Sequence, residues 1–238
     1  MRILFMLPAR SGSKGVKDKN IKKLNGKPLM YYAIQAILSS KIFIENDCYV
    51  MLNTDSKEYA DIAESIGANV PFIRNKQLAD DNSIISDVIK DTICFFERKN
   101  IEFDLFAMIQ VTSPLITKDD IDNAIQMFIE DNELDTINSV TESEVMPLWC
   151  NTLDEDLSME NFISDDIRKM NRQQLPKYYR ITGAIRVSRW KQFVNNEFDW
   201  YKGKVKAFIM DNSHSIDIDT IEDFELAELK MKRREENA

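Results

Sequence analysis

Short apolar runs alternate along the first 140 residues with stretches in which apolar positions recur at helical spacing. Ile3-Leu4-Phe5-Met6-Leu7 predicts a buried first strand over 2–7, and Leu29, Ala33, Ile34, Ile37 and Leu38 mark one face of a helix. Tyr49-Val50-Met51-Leu52 predicts a second strand. Tyr59, Ile62, Ala63 and Ile66 follow at helical spacing, with Gly67 as the expected C-cap. Val70-Pro71-Phe72-Ile73 reads as a short third strand. After a polar loop come a helix over about 83–99, the strand Leu105–Ile109, and a helix over about 118–131 that buries Ile121, Ala124, Ile125 and Phe128. Gly183-Ala184-Ile185-Arg186-Val187 and Val205–Met210 are the later strands, and a terminal helix starts near Thr220 with Phe224 and Leu226 among its apolar positions. Strand–helix alternation of this kind predicts an α/β fold in three layers, a mostly parallel sheet with helices on both sides. Ligands of such sheets bind beyond the carboxyl ends of the strands.

The pattern fails over 141–180, where Glu142, Glu144, Asp154, Glu155, Asp156, Asp165 and Asp166 interrupt it. A structureless loop of that length is unusual inside a compact domain, so the segment reads as an inserted arm within a single domain over 1–238, with oligomerisation as its expected use. The net charge of −9 argues against general affinity for nucleic acid or anionic membranes. Cys48, Cys94 and Cys150 are odd in number and form no CxxC pair, which predicts reduced thiols and neither a zinc site nor a disulfide framework. Pro8-Ala9-Arg10 ends the first apolar run too early for a signal peptide, and no stretch approaches the length of a transmembrane helix. A cytoplasmic location is the expectation.

Against this acidic background, Pro8-Ala9-Arg10-Ser11-Gly12-Ser13-Lys14-Gly15-Val16-Lys17-Asp18-Lys19-Asn20 is a basic, flexible loop at the end of the first strand. Gly12 and Gly15 open backbone conformations that let amides converge on an anion, and Arg10, Lys14, Lys17 and Lys19 add charge. Neither a P-loop nor a dinucleotide-fold spacing is present, so a solvated turn competes with a polyphosphate cradle. The position after the first strand and the further cations Lys22, Lys23 and Lys27 favour the cradle.

Ser215-Ile216-Asp217-Ile218-Asp219 places two carboxylates on one side of an extended segment. Such a pair suits magnesium, which takes oxygen ligands and bridges to substrate phosphates; two hydrated acids at a strand end are the alternative. Gln110-Val111-Thr112-Ser113-Pro114 ends a strand with polar groups that either line a crevice or cap the following helix. Arg172-Gln173-Gln174-Leu175-Pro176 reads as solvated surface. His214, the sole histidine, is a candidate base near the aspartates but forms no triad, and Trp149, Trp190 and Trp200 read as packing residues.

Together these residues resemble the acylneuraminate cytidylyltransferases, the synthetases of CMP-sialic, CMP-legionaminic and CMP-pseudaminic acids. Pro8–Gly15, Lys19-Asn20-Ile21 and Asn25-Gly26-Lys27-Pro28-Leu29 are similar to that family's CTP-binding opening, and Arg74 with Leu78-Ala79-Asp80-Asp81 and Ser83 to its next loop. Gln110–Leu115, Arg172–Pro176, Gly183-Ala184-Ile185 and Ser215–Thr220 continue the series in order. The resemblance implies a nucleotidyltransferase fold of Rossmann-like, GT-A-like type. It implies nucleotide contacts from Ala9, Arg10, Ser11, Gly12, Ser13, Lys19, Asn20, Arg74 and Ser83, sugar contacts from Gln110, Arg172 and Thr182, and Mg2+ on Asp217 and Asp219. Arg10, Lys19, Asp217 and Asp219 are the expected catalytic set. The resemblance also implies a homodimer in which the arm brings Arg172 to the neighbouring chain's site.

The expected reaction is attack by the anomeric hydroxyl of a nonulosonic acid on the α-phosphate of CTP. Activation of the eight-carbon sugar Kdo is the nearest rival. A GT-A glycosyltransferase usually carries its Asp-x-Asp pair mid-chain, and a nucleotide-sensing module more often lacks one carboxylate or the loop cations. Three departures stand out: Val111 replaces the family's usual Pro, Thr182 a common Asn, and Trp149 a Lys found in some sialic acid enzymes.

Overall fold

The computed structural model describes residues 1–13, 15–194 and 198–236, apart from the side chains of Arg172, Val194 and Glu235. Strand β1 (Arg2–Pro8) is followed by a small hairpin, β2 (Lys23–Leu24) and β3 (Lys27–Pro28), then by helices α1 (Leu29–Leu38) and α2 (Lys41–Glu45). Next come β4 (Asp47–Asn53), α3 (Lys57–Ile66), α4 (Ile85–Glu97), β5 (Leu105–Ile109), α5 (Lys118–Glu130) and β6 (Thr136–Glu142). The chain ends with α6 (Asp165–Arg168), β7 (Tyr179–Arg189), α7 (Lys191–Val194), β8 (Val205–Ile209) and α8 (Ile221–Glu236).

Six strands form one sheet in the order β4-β1-β5-β7-β6-β8. Strand β1 pairs in parallel with β4 and β5, β6 pairs in parallel with β8, and β7 alone runs antiparallel to its neighbours. Successive side chains of β1 face opposite layers, as the strand period of two requires. Ile3, Phe5 and Leu7 join Ala33 and Ile37 of α1, Ile121 and Ile125 of α5 and Phe224 of α8. Leu4 and Met6 join Ile89 and Ile93 of α4 with Phe106, Trp190, Phe193 and Trp200. The three-layer, mostly parallel α/β architecture expected from the alternation is therefore present. Helix α3 ends at Gly67, whose φ of 110° and amide bonded to Ala63 O make the expected left-handed cap.

One predicted strand is absent and one strand present in the six-stranded sheet was not predicted. The strand over 70–73 is absent: Asn69 alone bridges to Met51, and Pro71, with no N–H, cannot extend a ladder. Strand β6, in contrast, carries no apolar run to announce it. Its buried Thr136, Ser139 and Thr141 hide a central strand, because their hydroxyls are satisfied internally, Thr136 by Ser188 (3.0 Å) and Ser139 by Thr182 (2.5 Å).

Pairing of β6 with β7 continues to Glu142↔Tyr179, so the excursion from the sheet occupies 143–178, slightly inside the expected 141–180. It holds only short turns and α6, and exposes Val145, Leu153, Leu157, Met159 and Met170. Trp149 also lies there, 41% exposed, whereas Trp190 and Trp200 are buried; the packing role expected of all three tryptophans holds for the last two. Val111 is fully buried beyond β5, so the core accepts it in place of proline.

Candidate active site

The site grows from the carboxyl ends of β1 and β5. Past β1 the Ala9 amide still bonds Asn53 O of β4 (2.9 Å), and then the chain leaves the sheet. Its loop is tied back by Asn20, 5% exposed, whose Nδ2 donates to Arg10 O (3.0 Å). Past β5, the Thr112 carbonyl accepts from the Ile218 amide (2.9 Å), which fastens the Asp217–Asp219 segment to the sheet. A cleft of about 570 Å³ opens between these pieces, and Arg10, Ser13, Lys19, Asn20, Arg74, Ser83, Gln110, Asp217 and Asp219 contribute to its wall.

The loop and the acidic segment touch at Gly15. A Cβ there would lie 2.1 Å from Asp219 O, so this crossing admits only glycine. At Gly12 nothing lies within 4 Å, and of the two loop glycines only Gly15 is required by packing.

The basic loop is not an open positive surface. Arg10 pairs with Asp81 (3.0 Å) and donates to Asp80 O (2.9 Å), while Lys19 pairs with Asp219 (3.0 Å) and donates to Ile218 O. Lys22 lies over the Phe224 ring (5.5 Å) and Lys27 over Tyr31 (5.3 Å), and neither is part of the cleft wall. Lys14 lies outside the described residues. Arg74 is buried, with its Nε on Asn53 Oδ1; burial pulls its guanidinium down to about 10, and Asp55 opposes that shift.

Asp217 stands at the cleft with its carboxyl raised above the ordinary carboxylate range. Crowding by protein is the main cause; the Thr112 hydroxyl bond opposes it, Asp219 adds to it, Lys19 opposes it and Asp223 adds a little. Asp217 and Asp219 share the cleft wall, and a cation between two such carboxylates would offset their repulsion.

Several expected contacts lie elsewhere. Ala9 is buried under the end of β1, and Ser11 turns its amide (2.9 Å) and hydroxyl (2.7 Å) onto Asp55. Burial raises the Asp55 carboxyl, but those two bonds and Arg74 outweigh it and leave it below its ordinary range. Gly12 is not on the cleft wall. Thr182 is buried with its hydroxyl on Ser139, and the neighbouring Gly183 meets the cleft instead. The Arg172 side chain lies outside the described residues; its backbone forms a single tight turn over Arg172–Gln174. His214 does not face the aspartates of the cleft but bonds Asp120 (2.9 Å), which also caps α5. Sequence reasoning missed the clamping role of Thr112 and the grip of Asp80 and Asp81 on Arg10. The Thr-Ser-Pro signal at a strand end was visible for the first; nothing local announces the second.

A cationic loop facing paired carboxylates at the carboxyl end of a mostly parallel sheet defines an α/β protein built to hold a phosphorylated ligand. The chain belongs to the cytidylyltransferase family, whose model it matches over residues 4–232. It is 32% identical over 243 residues to the CMP-N,N'-diacetyllegionaminic acid synthase of Legionella pneumophila, covering 99% of each chain. It is likewise 32% identical over 238 residues to the pseudaminic acid cytidylyltransferase of Campylobacter jejuni, covering 100% of each. Among solved structures, a CMP:2-keto-3-deoxy-manno-octonic acid synthetase complexed with CTP superposes with a TM-score of 0.73 at 14% identity, over 98% of this chain and 100% of that one, a likeness of fold.

Proposed function

We propose that this chain transfers the cytidylyl group of CTP to the anomeric hydroxyl of a nonulosonic acid. The sugar oxygen attacks the α-phosphorus, the bond to the β-phosphate oxygen breaks, and pyrophosphate leaves while the hydroxyl proton passes to solvent. The observation that carries this reading is one cleft in which Arg10 and Lys19 face Asp217 and Asp219, in a chain whose full-length relatives are named for nonulosonic acids. The Kdo reading rests on a likeness of fold alone.

The donor set fits Mg2+. Asp217 and Asp219 offer two carboxylates, and no group of three or more potential ligands exists among the described residues, in keeping with an ion that completes its shell with water and phosphate. Bound there, the ion would neutralise charge at the α-phosphate and lower the pKa of the attacking hydroxyl. Arg10 and Lys19 stabilise the charge that gathers on departing pyrophosphate. Thr112 holds the Asp217–Asp219 segment to the sheet through its carbonyl while its hydroxyl acts on Asp217, and Gln110 offers an amide to the sugar. Thr112→Val is therefore expected to lower kcat/KM by about tenfold, as loss of a hydrogen bond to a charged group would, with Thr112→Ser restoring most of it in steady-state assays.

We extend the reading to a homodimer in which the 143–178 excursion covers a second copy and presents Arg172 to its site. The exposed Val145, Leu153, Leu157 and Met159 support this, as they would otherwise face water. Trp149, where some sialic acid enzymes carry Lys, favours a sugar less polar than sialic acid. A cytoplasmic setting fits the use of CTP; no helix among the described residues is long and apolar enough to cross a membrane, and the three cysteines are free. The test is pyrophosphate release from CTP with sialic, legionaminic, pseudaminic and Kdo acids in parallel. Release with a nonulosonic acid is expected; release with Kdo alone, or with none, contradicts the proposal.

A further inference from the structure

Arg10 does not await its ligand as a bare cation. Its guanidinium reaches from the β1 loop to the opposite lip of the cleft, where Asp81 pairs with one nitrogen (3.0 Å) and the Asp80 carbonyl accepts from the other (2.9 Å). The lip is wired to present that acid. The Asp80 carboxylate accepts from the Asn82 amide (3.0 Å) and the Ser83 hydroxyl (2.8 Å), and that hydroxyl also reaches Gln77 O (2.8 Å). The resulting tight turn places Asp81 against Arg10.

We propose that Asp81 is a built-in competitor for the anion that Arg10 binds, and that it sets how many phosphates a ligand must carry to enter. The inference rests on the proposed use of CTP. The pair is half-exposed, with side chains 35% and 46% accessible, so water screens it and its strength is that of a surface ion pair. Such a pair yields to a polyphosphate, whose several charges act at once on Arg10, Lys19 and Arg74. It resists a lone monovalent anion, which gains little over the carboxylate it would displace. Two guanidiniums share this region, since Arg10 depresses the ionisation of Arg74 through like charge. Among the described residues of the cleft wall, Arg10, Lys19 and Arg74 stand against four carboxylates, Asp80, Asp81, Asp217 and Asp219, so removing Asp81 brings the two signs to equal number. When the polyphosphate enters, Asp81 must part from Arg10, and the lip that carries Ser83 becomes free to settle on the ligand.

Calorimetric titration of inorganic pyrophosphate and of CTP into the full-length protein tests this. Asp81→Asn is expected to bind pyrophosphate about fivefold tighter than the wild type, the equivalent of one surface ion pair removed. Asp81→Glu, which keeps the charge, should stay near the wild-type value. Glu102→Gln, the same charge change at the opposite end of β5, should leave it unmoved and so excludes an effect of net charge. Unchanged or weaker binding by Asp81→Asn, with a wild-type melting curve, would overturn the inference and make Asp81 a support for Arg10. If the wild type binds neither CTP nor pyrophosphate, the proposed function itself fails.

Discussion

Asp217→Asn is expected to lower turnover by about two to three orders of magnitude, the usual loss when a group aimed at developing charge is removed. The same variant should melt slightly higher than the wild type at neutral pH without divalent cations. Both expectations come from one cause. Protein packed around Asp217, with Asp219 and Asp223 beyond, raises its carboxyl despite the opposing Thr112 and Lys19. The folded chain then keeps a proton that the unfolded chain releases, so stability falls as pH climbs from the ordinary carboxylate range through the raised folded value. Asparagine carries no charge to penalise. Because Asp217 is open to solvent on one side, the gain in melting temperature is small. Steady-state rates and thermal melts at pH 7 read the two together; a variant that is both less stable and fully active would refute the assignment of Asp217 as a cation ligand.

Gly15→Ala should cost turnover nearly as much while touching no ionisable group. The added methyl would sit 2.1 Å from the Asp219 carbonyl oxygen and 3.3 Å from its carbon, both backbone atoms that cannot rotate aside. The loop and the carboxylate segment must separate, and a displacement of about 1 Å between reacting groups costs on the order of a hundredfold. Gly12→Ala, with nothing within 4 Å, is the matched control and should stay near the wild type. Comparable losses in both variants would mean that the loop's flexibility matters, not its contact with Asp219.

These two glycines show where sequence reasoning stops. Both were legible as flexible positions in a loop after the first strand, yet only the tertiary crossing at Asp219 tells them apart. The buried runs of β1, β4 and β5 and the helical spacing of α1, α3 and α5 were readable because each buries a continuous apolar face, whereas Leu226 of α8, read with Phe224, is exposed. Strand β6 was not, since its interior is polar and is satisfied by β7, a partner far along the chain. Asp217 and Asp219 could be found by their spacing, and Arg10 and Lys19 by type and place. The counter-ion of Arg10 could not, because Asp81 meets Arg10 only once two loops close over the same cleft. At Thr182 the family resemblance implied a sugar contact, and the sheet takes up the hydroxyl through Ser139.

The most direct measurement follows the phosphorus. CTP labelled separately at the α- and γ-positions is incubated with the protein, Mg2+ and legionaminic or pseudaminic acid, and the label in the sugar product is counted. Cytidylyl transfer predicts that α-label enters the sugar in equal molar amount to the pyrophosphate formed, and that γ-label appears only in pyrophosphate. Label from the γ-position in the sugar, or no transfer to any nonulosonic acid, would contradict it.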